Sequence, residues 1–526
     1  MNLKVISRNV GFALLASAFF MFLSILVSLA EGNDSALAAM IISFTITFIV
    51  GVFPFIFVRK SSNITLKDGY MIIVLSWLLS FVFGMLPYLL WGGPFSVINA
   101  LFEAVSGYTT TGATILTDVE QLPDSLLFWR SSTHFIGGLG VVVFLLLIIP
   151  SSSPMRLRLT NMEVSSLSKE GYRTRTNKTV WVFAAVYLGI TVSAFLCYWL
   201  AGMSAFDAIN HAFSVVSTGG FSTKNLSIAS FDSNAINIIT IVFMFLASVH
   251  FGLIFVVFAT RSLKPFKNPV LKFYALMIVI ASVMMAISLK MKGSEFSWGD
   301  SIMNGIFHVV SSISTTGFAI SDNNTWPAFA AVLMVIISVP CGMAGSTTGG
   351  VKADRIYLML KTIGQQVKKA LHPASINQVH VGNHILTNEE VYPHLVYIAL
   401  YFVTIAISVA LSIVSGVTID ASVAACISAL SNVGPALGDW GTLGSFNSAP
   451  VMAKFIFVVD MFLGRVEIYP ILAVVAMAFS RRNKQWGRLI FYTTSFLDIS
   501  SMSRPSPRTR SCIRWPNFLP EMTVTY

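Results

Sequence analysis

Four segments of this chain end in a glycine that is preceded by hydroxyl side chains at fixed distances. A serine lies six residues before each glycine, a second hydroxyl lies three before it, and threonine or asparagine lies two before it. The glycines are Gly112, Gly220, Gly317 and Gly434. An internal repeat of this kind indicates a repeated structural unit. Loop carbonyls from four such units around one axis could dehydrate and select a monovalent cation within a membrane, so the repeat predicts an ion pathway.

The residue types in these segments favour potassium over divalent cations. Glycine readily adopts the positive φ that inward-pointing carbonyls require, and neighbouring hydroxyl and amide groups can hold the backbone. The segments contain no carboxylate, which argues against calcium or magnesium. Asp118, Asp322 and Asp439 follow three of the glycines by five or six residues. They could raise the local cation concentration, or they could be ordinary solvated loop acids.

Each glycine segment follows a stretch of about a dozen residues, which is too short to span a bilayer. Residues suited to the helix N-cap precede these stretches, namely Ser96, Ser204, Ser297 and Thr418. We therefore predict four short re-entrant helices whose C-terminal ends, which favour cations, point at the axis. The predicted potassium-binding residues are Thr110, Thr111, Gly112, Thr218, Gly219, Gly220, Thr315, Thr316, Gly317, Asn432, Val433 and Gly434.

A glycine-rich stretch at 341–350 interrupts a later apolar segment. Its composition cannot maintain a stable helix. A broken helix inside a bilayer either lines a pore or acts as a hinge, although a cytoplasmic turn between two helices would have a similar composition. The candidate gate residues are Gly342, Gly345, Ser346, Thr347, Thr348, Gly349 and Gly350.

One arginine, Arg465, lies within the last long apolar segment. A charged side chain at membrane depth costs about 3 kcal/mol or more, so it usually faces a cavity. The alternative is a buried ion pair with Glu467, Asp460 or Glu103. The histidines in or near membrane segments lack metal-site spacing, and packing or hydrogen-bonding roles are favoured for them; they are His134, His211, His250 and His308.

The composition is that of a polytopic membrane protein. Of the 526 residues, 55% are hydrophobic and 11% are charged, whereas soluble domains carry about 25% charged residues. Most of the apolar runs approach or exceed spanning length; the runs are 10–29, 36–57, 70–90, 137–149, 180–200, 236–259, 273–289, 329–339, 391–414 and 451–479.

Basic residues lie mainly at 4–8, 59–67, 156–178, 261–272, 352–369 and 481–488. The positive-inside rule places these regions and both termini in the cytoplasm. Because topology accounts for the net charge of +11, we do not predict nucleic-acid binding. The four cysteines are scattered and predict neither a metal cluster nor a disulfide framework.

The runs and glycine segments together predict an all-α membrane protein built around a central pore. An N-terminal helix pair (1–67) precedes four units, each with a helix, a short pore helix, a loop and a second helix. The units are 68–150, 178–262, 271–371 and 388–482, and the third contains the segment 341–350. Residues 483–526 lack helical periodicity and form an atypical tail, which is interpreted as a disordered extension, a fusion or the product of a shifted reading frame.

The four glycine segments resemble the filter sequences of the Trk/Ktr/HKT superfamily of potassium transporters. The resemblance covers about residues 1–483, and the additional N-terminal helix pair resembles the bacterial Trk branch. It implies potassium uptake across the inner membrane, with 341–350 as a gate and Arg465 as an electrostatic barrier below the filter. In that family a serine at the first filter glycine accompanies sodium preference, whereas Gly112 is glycine here. Asn432 and Val433 depart from the threonine-threonine-glycine pattern.

The resemblance also implies a homodimer and a cytosolic ring of nucleotide-binding regulatory subunits. It implies potassium as the transported ion and no organic cofactor. One alternative is an inverted-repeat secondary transporter for a small solute, although the four units here share one orientation. A polytopic membrane enzyme is a weaker alternative, because it would need clustered acids or histidines at one depth. Coupling to protons stays open.

Overall fold

The computed structural model describes residues 2–59, 65–148, 176–291, 297–373, 379–381 and 384–480. Residues 1–474 form one compact unit, and 475–526 are grouped separately. The predicted disordered tail at 483–526 lies outside the described residues, as does most of the basic stretch at 156–178.

Long apolar helices dominate the first half of the described chain. They alternate with shorter helices, and the series is α1 (Leu3–Ala30), α2 (Leu37–Phe57), α3 (Leu66–Gly84), α4 (Leu86–Trp91), α5 (Val97–Tyr108), α6 (Asp124–Ile148), α7 (Thr176–Leu200), α8 (Ala205–Val216), α9 (Asn234–Ser248) and α10 (Phe251–Thr260).

The second half repeats this alternation and adds two short strand pairs. The elements are α11 (Pro269–Met291), α12 (Trp298–Ile313), α13 (Ala328–Ile337), β1 (Pro340–Cys341), β2 (Val351–Lys352), α14 (Ala353–Leu371), β3 (Val379–Val381), β4 (His384–Leu386), α15 (Asn388–Val414), α16 (Ile419–Ser431), α17 (Val451–Val466) and α18 (Ile468–Ser480). Strands β1 and β2 pair in parallel, and β3 and β4 pair antiparallel.

Six helical stretches among the described residues are long and apolar enough to cross a membrane, and a bent pair raises the number to seven. The first two, α1 and α2, approach closely through small residues. A Cβ added to Gly11 would lie 2.7 Å from the carbonyl oxygen of Gly51. Since lipid provides no hydrophobic drive for helices to associate, small residues at such contacts favour close packing.

Four short helices, α5, α8, α12 and α16, each precede one of the glycine segments and contain 12 to 16 residues. Three of them have the predicted N-caps. The hydroxyls of Ser96, Ser204 and Ser297 accept hydrogen bonds from the backbone three residues later. Helix α16 also begins after the predicted residue, Thr418, but without a side-chain capping bond.

Two of the apolar runs, each predicted as one stretch, are each divided into two helices. The run at 236–259 bends by 101° between α9 and α10. Val249 is extended there, and His250 caps α10 by accepting the Leu253 N–H at 3.3 Å. The run at 451–479 breaks at Glu467, which has φ 66°. No proline lies at the first break, whereas Pro470 lies three residues after Glu467 and cannot donate to the Val466 carbonyl, which favours the second break.

Candidate ion-conduction site

The four short helices end in the same backbone turn. In the first unit the Thr111 N–H, directly before Gly112, donates to the carbonyl of Ser106, six residues before Gly112. The equivalent bond is present in all four units, at 2.8 to 2.9 Å. A second bond joins the residue two before the glycine to the carbonyl five before it, at 3.0 to 3.2 Å. This pair of bonds is the Schellman motif of helix C-termini. The sequence repeat therefore corresponds to a geometric repeat.

The turn requires a left-handed residue, and none of the four is glycine. Thr110, Thr218, Thr315 and Asn432 have φ between 53° and 58°. All four are buried. Asparagine tolerates this region, but for a β-branched residue it is an outlier that costs about 1–3 kcal/mol. Sequence reasoning assigned positive φ to the glycines and missed these positions, because threonine gives no signal for left-handed backbone.

The filter glycines themselves have φ of 80°, 85°, 78° and 100° in chain order, as predicted. A Cβ added to any of them would collide with a carbonyl oxygen of the next loop. Gly112 faces the Gly219 oxygen, Gly220 faces that of Thr316, Gly317 faces that of Val433, and Gly434 faces that of Thr111. The contacts run from the first loop to the fourth and return to the first. The structure thus brings the four segments into one closed ring with backbone oxygens at each junction.

In three of the four units, the side chain nine positions before the filter glycine hydrogen-bonds to the part of the loop that follows the glycine. Glu103 accepts from the Ile115 N–H at 3.1 Å. His211 Nε2 and Ser222 Oγ lie 2.9 Å apart. His308 Nε2 accepts from the Ile320 N–H at 3.4 Å. These histidines have the hydrogen-bonding role that their spacing favoured, whereas Ala425 occupies this position in the fourth unit.

Glu103 also forms a buried ion pair that joins the first two loops. Arg130 Nε lies 2.8 Å from its carboxylate, and the two side chains are 2% and 0% exposed. The same guanidinium donates to the Ser222 carbonyl at 3.2 Å and lies 4.0 Å from the centre of the Phe221 ring. A buried charge of this kind is tolerated only when it is paired and hydrogen-bonded. Sequence reasoning missed Arg130, because the two partners are distant in the chain.

The outer parts of adjacent loops are also joined. Asn225 donates to Asp118 at 2.8 Å, and Asn323 donates to the Ala436 carbonyl at 2.9 Å. The Phe446 N–H donates to the Thr114 carbonyl at 2.8 Å. The hydrogen bond from Asn225 is the main cause that lowers the pKa of Asp118; desolvation opposes it, and hydrogen bonds from Gln121 and Glu120 lower the pKa further. Asp118 therefore stays ionised next to the ring.

The glycine-rich segment at 341–350 forms a buried loop between β1 and β2. Its backbone hydrogen-bonds to the break between α9 and α10: the Met343 N–H donates to the Ser248 carbonyl at 2.9 Å, and the Phe251 N–H donates to the Gly345 carbonyl at 3.0 Å. The Ala344 N–H donates to Asp354 at 2.6 Å. Because unpaired polar groups at helix ends are costly when buried, the segment and the broken helix satisfy each other.

The apex of this segment lies against the glycine loops. Thr347 Oγ1 donates to the Val216 carbonyl, at the end of α8, at 3.0 Å. The Gly349 N–H donates to Thr315 Oγ1 at 3.1 Å. Lys352 Nζ donates to the Thr348 carbonyl. The segment is buried against the loop ring, which disfavours its alternative interpretation as a cytoplasmic helix–helix turn.

Arg465 connects the segment to the first unit. Its guanidinium donates to the carbonyl of Thr347 and, at 2.8 Å, to that of Gly137. The three acids considered as its partners have other contacts: Glu103 pairs with Arg130, Glu467 lies 2.8 Å from Arg355, and Asp460 accepts from Ser408 at 2.6 Å. The positive charge therefore lies between the glycine-rich segment and α6.

Among the described residues, no group of three His, Cys, Asp or Glu side chains could hold a metal ion. The site instead offers neutral backbone oxygens in a ring, a buried loop against that ring, and the positively charged guanidinium of Arg465 next to the loop. This chemistry suits the passage of a dehydrated monovalent cation.

Comparisons with known proteins agree with that chemistry. The chain matches the family described as "TrkH: Cation transport protein" over residues 36–485. It is 33% identical over 492 residues to the Trk system potassium uptake protein TrkH of Halomonas elongata, with 92% of this chain and 100% of the relative covered. For the protein of the same name from Escherichia coli K12, the identity is 31% over 488 residues, with 91% and 100% covered. The crystal structure of the potassium transporter TrkH from Vibrio parahaemolyticus superposes with a TM-score of 0.80 at 30% identity, and covers 90% of this chain and 98% of that one.

Proposed function

Because the chain belongs to the TrkH family of cation transport proteins, we propose that it takes up potassium across a bacterial inner membrane through a filter formed by its four glycine loops. The closed ring of glycine-to-carbonyl contacts supports this proposal. Carbonyl oxygens in the ring replace the hydration shell of the ion. The inward-negative membrane potential contributes about 2.3 kcal/mol per charge per 100 mV, which drives uptake without a chemical step.

Membership of a cation transport family decides against an enzyme. The filter consists of the predicted residues in each loop, from Thr110 to Gly112, Thr218 to Gly220, Thr315 to Gly317 and Asn432 to Gly434. In this proposal the four units 68–150, 178–262, 271–371 and 388–482 surround a central pore, and 1–67 is the additional N-terminal helix pair. Four like-oriented units, rather than two inverted ones, argue against a small-solute transporter with inverted repeats.

The segment 341–350 acts as the gate of this pathway, and Arg465 provides the barrier next to it. The segment is buried under the loop ring, and its apex hydrogen-bonds to Thr315 in the third loop. Arg465 holds Thr347 and places a positive charge on the route of the cation. Movement of the segment breaks the hydrogen bond between Thr347 and Arg465, so it also changes the surroundings of the guanidinium.

The charge pattern supports the proposed topology, and the resemblance to the bacterial Trk branch supports the proposed partners. The basic loops and both termini lie in the cytoplasm, the chain forms a homodimer in the bilayer, and a cytosolic nucleotide-binding subunit docks on the basic inner surface. No nucleic acid is involved.

Growth of a potassium-uptake-deficient bacterium at low potassium tests the filter. The wild type should rescue growth, and Gly112→Ser and Gly317→Ser should reduce both rescue and potassium preference over sodium, because each new Cβ collides with a neighbouring carbonyl. Gly416→Ser is the matched control: Gly416 has φ +96° but no atom within 4 Å of an added Cβ. Unchanged rescue and unchanged ion preference in both filter variants would refute the assignment.

A further inference from the structure

Three equivalent threonines in the glycine loops have different hydrogen-bond partners. Thr110, Thr218 and Thr315 share the left-handed turn position, with φ of 53°, 56° and 56°, and all are 0% exposed. The Thr218 hydroxyl donates within its own loop, to the Ser217 carbonyl at 2.6 Å. In the described part of the chain the Thr110 hydroxyl has no partner. Thr315 Oγ1 accepts from the Gly349 N–H at 3.1 Å, and this bond leaves its loop.

Gly349 has no room for a side chain at this contact. A Cβ added to it would lie 2.6 Å from both Asn432 Oδ1 and the Ser431 carbonyl oxygen. At Gly350, an added Cβ would lie 3.3 Å from the Ser431 Cα and would collide with Cys341 Sγ. The apex of the segment 341–350 is therefore enclosed by the third loop, through Thr315, and by the start of the fourth.

The remaining anchors of the segment lie elsewhere. Thr347 bonds to carbonyls at the ends of two helices, those of Val216 at 3.0 Å and Ala247 at 3.2 Å, and also to Arg465. These contacts fix the segment to the framework. The bond to Thr315 differs from them, because it joins the segment to a residue that itself shapes the ion-binding ring.

We propose that Thr315 is a positioning residue that connects filter and gate: its hydroxyl holds Gly349 against the ring, so that the third loop responds to the position of the gate through its turn threonine. This inference rests on the proposed function of 341–350. When the segment moves away, the Gly349 N–H loses this acceptor and the Thr315 hydroxyl is released. A neutral hydrogen bond contributes about 0.5–1.5 kcal/mol net, which corresponds to a two- to tenfold bias toward the closed segment.

The test compares Thr315→Val with Thr218→Val and Thr315→Ser in the full chain, reconstituted in liposomes. Valine keeps the shape of threonine and removes the hydroxyl, so both valine variants share any effect of a lost filter hydroxyl. Resting rubidium flux should be about two to ten times higher in Thr315→Val than in Thr218→Val. Thr315→Ser keeps the acceptor oxygen for the Gly349 N–H, so its resting flux should be lower than that of Thr315→Val.

A second readout does not depend on ion flow. Cys341 lies at the base of the segment, is 0% exposed and lies under Gly350. In a background with Cys197, Cys426 and Cys512 replaced, its modification by a small thiol reagent reports opening of the segment. The rate should rise by the same factor in Thr315→Val and not in Thr218→Val.

Equal Cys341 modification rates in the two valine variants would overturn the inference. A wild-type chain without potassium-dependent flux would refute the proposed transport function instead, and the thiol measurement would still decide whether Thr315 holds the segment.

Discussion

The buried pair between Glu103 and Arg130 should be a main stabilising contact of the first two glycine loops. The variant Glu103→Gln keeps the size of the side chain but leaves the Arg130 charge without its counter-charge, at a position where only 2% of the arginine is exposed. Removing one partner of such a pair costs about 3–5 kcal/mol. We expect that loss in the free energy of unfolding, together with a lower potassium preference, because Glu103 also holds the Ile115 N–H after Gly112.

Reversible unfolding in mixed micelles, followed by tryptophan fluorescence, measures the free energy of unfolding. Trp129 is fully buried next to Arg130 and should report on this region. His308→Gln is the matched control, since His308 has the equivalent place in the third unit but makes a single longer bond to the outgoing loop. Its loss should stay within about 1–3 kcal/mol. The single variant Arg130→Gln and the double variant Glu103→Gln/Arg130→Gln complete a double-mutant cycle.

The cycle has a definite outcome. Because each single variant leaves a buried group unpaired, the double variant should cost clearly less than the sum of the two single losses. The reasoning is refuted if Glu103→Gln costs no more than His308→Gln, or if the two single losses add.

Substitutions at two further residues test charge along the pathway. Arg465→Ala should raise cation flux, because it removes both a positive charge and the hydrogen bonds to Thr347 and Gly137. Arg465→Lys keeps the charge without the paired geometry and should give an intermediate flux. A wild-type flux in both variants would reject the role of Arg465 as a barrier. Asp118→Asn should lower uptake at low ionic strength and match the wild type at high salt. Since the pKa of Asp118 is lowered, its carboxylate is ionised above its ordinary pKa and loses its charge only at still lower pH. The contribution of Asp118 to uptake should therefore be constant between about pH 7 and pH 5. A decline in uptake over that range in the wild type but not in Asp118→Asn would contradict the assignment.

The sequence predicted the loop ring well because its signal is repeated. Glycine at Gly112 and at its three counterparts implied positive φ, and the structure has it at all four. The serine six positions earlier marked the turn, although its carbonyl rather than its hydroxyl makes the shared bond. A single copy would have carried little information, because short capped helices are common at membrane interfaces.

Contacts between distant residues could not be predicted. Arg130 lies on α6 and Arg355 on α14, and nothing in local spacing indicates that they pair with Glu103 and Glu467. The bend at His250 was missed for a related reason: the surrounding residues are uniformly apolar, and the backbone groups freed at the break are satisfied by the segment 341–350. Long-range hydrogen bonding, rather than local propensity, determines where that helix ends.

The ring of close glycine-to-carbonyl contacts comes entirely from one polypeptide. In a homotetrameric channel each mutation is copied into every quadrant, so selection acts on all of them at once. Here one quadrant can change while three stay as they are, and Asn432 with Val433 is such a case. A covalently continuous ring can therefore acquire a different task in each quadrant, at the cost of exact rotational symmetry.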